Sequence, residues 1–123
     1  MLSDLDKTAV VDLSEALSRV DGDRDLFLTL AGLFLQESPK EVAAVHAALG
    51  LHDRVRLVAA SHKLKGSAIE MCVPGLIDSA TRLEELARLG KFAEASPVYA
   101  EVEIRLAGVH AALRDFISKG CSS

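Results

Sequence analysis

The chain has 123 residues, half of them apolar, with 4% aromatics, no tryptophan and a formal net charge of −4. That is enough for one domain with a true core and too little for two. Acids and bases are interspersed without a basic stripe, which argues against a nucleic-acid partner, and no segment approaches the ~20 apolar residues of a membrane-spanning helix.

Residues 1–11 read as an N-terminal extension. Their start, MLSDLDKTAV, has no basic region and no long apolar run, so no signal peptide is expected. Asp12 followed by Glu15 marks the start of a first helix, about Asp12 to Val20, with Leu13, Ala16, Leu17 and Val20 as its stripe. Gly22 would end it, and Asp23 would cap the next. That second helix runs to about Leu49 on Phe27, Leu30, Phe34, Val42, Val45 and Leu49. Inside it, "SPKE" from Ser38 to Glu41 is itself a capping box with proline at the first helical position. A kink or a break is expected there, and the unbroken phase of the stripe favours the kink. Gly50 would close this helix.

The third helix is expected from about Asp53 to Met71, and the fourth from Pro74 to Leu89 on Leu76, Ala80, Leu83 and Ala87. Gly90 follows as a terminator. The fifth helix, Phe92 to Ile117, carries Phe92, Ala95, Tyr99, Val102, Leu106, Val109, Leu113 and Phe116 at steps of three and four, the seam of a bundle helix. Pro97 interrupts it, with Ser96 as a candidate N-cap. Short connections make successive long helices antiparallel neighbours. The expected fold is all-α: an antiparallel four-helix bundle over residues 12–118, with the short first helix covering one end and residues 119–123 as a tail.

The third helix has two apolar sides. With ~100° per residue, Leu57, Ala60, Leu64, Ala68 and Met71 gather on one side as core. Val55, Val58, Ala59, Gly66 and Ile69 gather on the other, around His62, with Lys63 and Lys65 close by. Either the helix is sandwiched and both sides are core, or the second side is an apolar patch offered to a partner. Lysine is rarely fully buried, which favours the patch. Gly66 costs about 1 kcal/mol relative to alanine in a helix and removes a side chain beside the imidazole. An exposed imidazole is substantially neutral and nucleophilic at pH 7. A cation one turn away, Lys65, attracts a phosphoryl oxygen. No second catalytic group stands nearby, so this chain can carry a phosphoryl group without machinery of its own to make or break one.

"SHKLKGSAIEMCVPGL", Ser61 to Leu76, resembles the signature of histidine-containing phosphotransfer (HPt) domains, AHxLKGSSxxxGxxxL. His62, Leu64, Lys65, Gly66, Ser67 and Leu76 match in order. The likeness extends over about Asp12 to Ile117, including the proline within the preceding helix. It implies a phosphorelay intermediate, not an enzyme. His62 would accept a phosphoryl group on its outer nitrogen from a receiver-domain aspartate and pass it to another receiver. Lys65 would stabilise the phosphoryl group. Val55, Val58, Ala59, Lys63, Gly66, Ser67 and Ile69 would form the docking face. Glu84 and Arg88 fall where some family members orient the histidine with a polar side chain. The implied partners are receiver domains of response regulators or of a hybrid histidine kinase, with Mg²⁺ expected on the receiver alone. This chain is expected to hold no metal or other cofactor. Ser61 replaces the usual alanine, and Cys72 stands where glycine is usual.

The remaining residues carry less. His46 and His52 straddle Gly50, which is no metal pair, and no CxxC, HExxH or P-loop pattern occurs. Arg82, Glu85 and Arg88 read as a solvated face. Cys72 and Cys121 suggest no disulfide framework, which fits a reducing compartment. A cytoplasmic monomer, without membrane or nucleic-acid contacts, is expected. Two other functions share the motif: the histidine-bearing input domain of a chemotaxis-type kinase, and a module that docks a receiver without chemistry.

Overall fold

The computed structural model describes residues 10–122, with side chains through residue 119. Residues 1–9 of the extension and the Cys121 side chain thus lie outside the described residues. Five helices follow: α1 Leu13–Arg19, α2 Arg24–Gly50, α3 Arg54–Glu70, α4 Pro74–Arg88 and α5 Phe92–Ser122. The last runs past Ile117, where the apolar seam was expected to end.

Local chemistry sets the starts. The carboxylates of Asp12, Asp23 and Asp53 accept from the backbone N–H three residues on, those of Glu15 (3.1 Å), Leu26 (3.0 Å) and Arg56 (3.1 Å). Pro74 occupies the first turn of α4. The stops are less uniform. Gly22 (φ 75°) and Gly90 (φ 70°) take the left-handed conformation expected of them. Gly50 does not. It is the last residue of α2, and His52 (φ 51°) makes the left-handed turn instead.

Neither proline breaks its helix. Pro39 lies within α2 and Pro97 within α5. Ser38 is no cap: it is fully buried and bonds His110 Nε2 on α5 at 2.8 Å. Nor is Ser96, whose hydroxyl donates to the Phe92 carbonyl at 3.4 Å. A proline inside a helix costs about 3 kcal/mol. Burying Phe34, Val42 and Val45 on either side of Pro39 stabilises by about 1.5–3 kcal/mol each, so continuity wins.

The four long helices close a ring in which α2 packs on α3, α3 on α4, α4 on α5, and α5 back on α2. Phe27 meets Phe116 edge to face at 5.2 Å across the α2–α5 seam. Helix α1 covers the end holding the α3–α4 turn. There the Asp12 N–H donates to the Cys72 carbonyl (2.7 Å) and Arg19 donates to that of Ile69 (2.8 Å). Arg82 is not merely solvated: it donates from α4 to Glu101 on α5 at 2.6 Å, and Arg105 pairs with the same carboxylate at 2.6 Å.

The two glycine ends make opposite predictions. Gly90→Ala forces a side chain into the left-handed region and should lower unfolding free energy by about 1–2 kcal/mol. At Gly50 an added Cβ would meet nothing within 4 Å, so Gly50→Ala should raise it by roughly 0.4–1 kcal/mol. Urea titration of both variants checks this, and a loss at Gly50 would restore it as the terminator.

Candidate functional site

Helix α3 buries one side and exposes the other. Leu57, Leu64, Ala68 and Met71 are core. Opposite them, Ala59, His62, Lys63, Gly66 and Ile69 are exposed, as is Val55 at 79%, while Val58 is half-buried against the core. The helix is therefore not sandwiched, and its second apolar side faces solvent. An added Cβ at Gly66 would meet nothing within 4 Å, so no internal contact demands glycine there.

His62 stands on this side with its side chain 67% exposed. Its Nδ1 lies 3.1 Å from Oε2 of Glu84 on α4. A carboxylate can only accept, so Nδ1 carries the proton and donates it, leaving the Nε2 lone pair free. No described residue bonds Nε2. Glu84 itself is only 4% exposed. Two further cations meet it: Arg88 donates to Oε2 at 2.6 Å, and Lys65 Nζ lies 3.1 Å from Oε1. At that distance Lys65 and the Glu84 carboxylate form an ion pair. Burial pushes the Glu84 carboxyl up. Arg88, Lys65 and His62 together outweigh it and hold the group below its ordinary value. Arg88 thus bonds the carboxylate behind the ring.

Ser67 is half-buried and turned toward α2, where its hydroxyl donates to Glu41 Oε2 at 2.9 Å. Glu41, which the sequence places in a capping box, reaches the His62 helix from α2. A signal was present: Phe34, Ser38, Glu41, Val45 and Ala48 step by four and three, and all five are buried. The other histidines lie elsewhere, His46 against Tyr99 and His52 against Phe92. Among the described residues, no three His, Cys, Asp or Glu side chains converge to hold a metal, and no helix is long and apolar enough to cross a membrane.

Cys72, where the family motif has glycine, has φ 56° and is buried, and burial pushes its thiol up. The left-handed backbone explains why glycine suits this position.

The family model for the Hpt domain matches residues 29–115. That is well over half the chain, which therefore belongs to the Hpt domain family. Two solved structures share the fold. One is histidine-containing phosphotransfer protein B (HptB) from Pseudomonas aeruginosa PAO1, with TM-score 0.83 and 25% identity, covering 89% of this chain and 95% of that one. The other is the HPT domain of a sensor hybrid histidine kinase from Shewanella, with TM-score 0.76 and 21% identity, covering 86% and 92%. No curated protein matches the sequence.

Because the Glu84 carboxyl is held below its ordinary value of 4.5, its stabilising effect is complete above that pH and disappears as pH falls through the lower, folded-state value. Glu84→Gln should therefore be less stable than the parent at pH 7, with the gap closing in acid. Urea midpoints from pH 7 to pH 3 test this. A gap independent of pH would mean that the charge of Glu84 is not what stabilises.

Proposed function

We propose that this chain is the phosphoryl carrier of a two-component phosphorelay, taking the group from one receiver-domain aspartate and delivering it to another. The observation that carries the reading is the ring of His62, exposed to solvent and tied through Nδ1 to a buried carboxylate. In the transfer, the Nε2 lone pair forms a bond to phosphorus as the bond from phosphorus to the aspartyl oxygen breaks, and the aspartate leaves as carboxylate. The Nδ1 proton stays on the ring. Glu84 stabilises the positive charge that grows there, as a preorganised group aimed at developing charge should. Return transfer runs the same steps backwards.

Lys65 is the cation for the phosphoryl oxygens. It is held by Glu84 within one turn of the ring, and a dianion on Nε2 offers it a second partner. The flanking aliphatic side chains Val55, Val58 and Ile69, with Ala59, exclude water when a receiver docks, and that strengthens each charge interaction at the ring. Gly66 lets the partner backbone come close, and Lys63 and Ser67 border the same face. Any Mg²⁺ belongs to the receiver. The chain supplies position and charge, with no group of its own to cleave the acyl phosphate.

Incubation with a phosphorylated receiver should label this chain with an acid-labile, base-stable phosphate, and His62→Gln should abolish the label. Label persisting in that variant would overturn the assignment, and retention of all signalling by it would favour a docking module without chemistry. Gly66→Glu should fold normally yet reduce transfer by about tenfold or more, because it sets a charged side chain on the docking face. Lys65→Ala should fold and transfer more slowly. Loss of the folded state would instead make Lys65 a structural residue.

A further inference from the structure

A groove of about 270 Å³ runs between α2 and α3 beside the His62 face. Leu33, Phe34 and Met71 give it apolar walls, and Glu37, Glu41 and Glu70 line it with acid against the single ammonium of Lys63. Lys40 engages Glu37 at 3.0 Å from the adjoining groove, which still leaves the carboxylates in excess. Glu41 is the unusual member. It is 8% exposed, spends Oε2 on Ser67, and has no partner for Oε1. Burial pushes its carboxyl up, Ser67 and Lys63 pull it back only in part, and Glu37 and Glu70 push the same way as burial. A buried carboxylate oxygen without a donor is costly, and a cation beside it would relieve that cost.

We propose that this groove receives an arginine or lysine side chain of the receiver that docks on His62, and that Glu41 selects it. The proposal rests on the phosphorelay reading above. Three features identify the ligand. The carboxylate excess calls for a cation. No three metal-ligating side chains converge among the described residues, which favours an organic cation. The apolar walls suit the methylene stem of a long basic side chain, which packs on aliphatic surface while its head seeks charge. Continuity places the groove within the same interface, because Lys63 and Ser67 line it and also border the docking face. A basic side chain inserted here would release Glu41 from its raised pKa and fix the receiver's orientation over the imidazole. It would thereby discriminate between receivers that are alike at the phosphoryl aspartate.

The test uses isolated receiver domains of the source organism, phosphorylated with acetyl phosphate, against the parent chain and Glu41→Gln. Glutamine keeps the shape and can still accept from Ser67, so folding should persist, as circular dichroism will show. For the receiver that labels the parent fastest, Glu41→Gln should weaken Kd by about tenfold or more and flatten its dependence on NaCl concentration. Glu70→Lys, on the exposed rim, should weaken the same Kd without touching the core, and keeps the question open to measurement if Glu41→Gln fails to fold. An unchanged Kd and salt slope in these variants, with His62 still labelled, would overturn the groove assignment and leave the carrier reading standing. If no receiver labels the parent chain, both fall together.

Discussion

The Glu84 carboxylate is the constraint on which the site depends. An ionised group this deeply buried is strongly unfavourable unless its charge is paired. Here the imidazole and Lys65 reach it from α3, and Arg88 reaches it from one turn further along α4. Satisfying that one charge does three things together. It bridges α3 to α4, it fixes which imidazole nitrogen holds the proton, and it holds Lys65, one helical turn from His62, at the same carboxylate. The ring itself is mostly in solvent, so packing does not orient it. The charge behind it does.

Helix α3 is used on both sides, and each side carries a local cost. Toward the core, Ser61 sits fully buried with no partner for its hydroxyl, at the position where alanine is usual in the family motif. Toward solvent, Gly66 forgoes helix propensity with no packing gain. Leu57, Leu64 and Ala68, all fully buried, anchor the helix firmly enough to bear both. These buried anchors hold His62 in one place relative to the bundle.

Much of this was legible from residue order. The steps of three and four along α5 located its buried seam, the aspartate caps located the helix starts, and the string around His62 pointed to the family. The misreadings share a cause. "SPKE" and Ser96 have the chemistry of helix starts, but a cap is a local preference of about 1 kcal/mol, and the buried stripe running through each proline outweighs it. Gly50 has the residue type of a terminator, yet the chain turns two residues later at His52. Glu41 was passed over because a charged residue on a buried stripe runs against expectation.

Period and residue type give the helices and most of their buried faces, and the string around His62 gives the match to the family motif, because each depends on neighbours within a few residues along the chain. The partners of that histidine are a different matter. Glu84 lies 22 positions from His62 and Glu41 lies 26 from Ser67. Whether such pairs meet depends on how α3 aligns with α4 and with α2. That alignment is set by side chains packing across the whole bundle, and no local pattern records it.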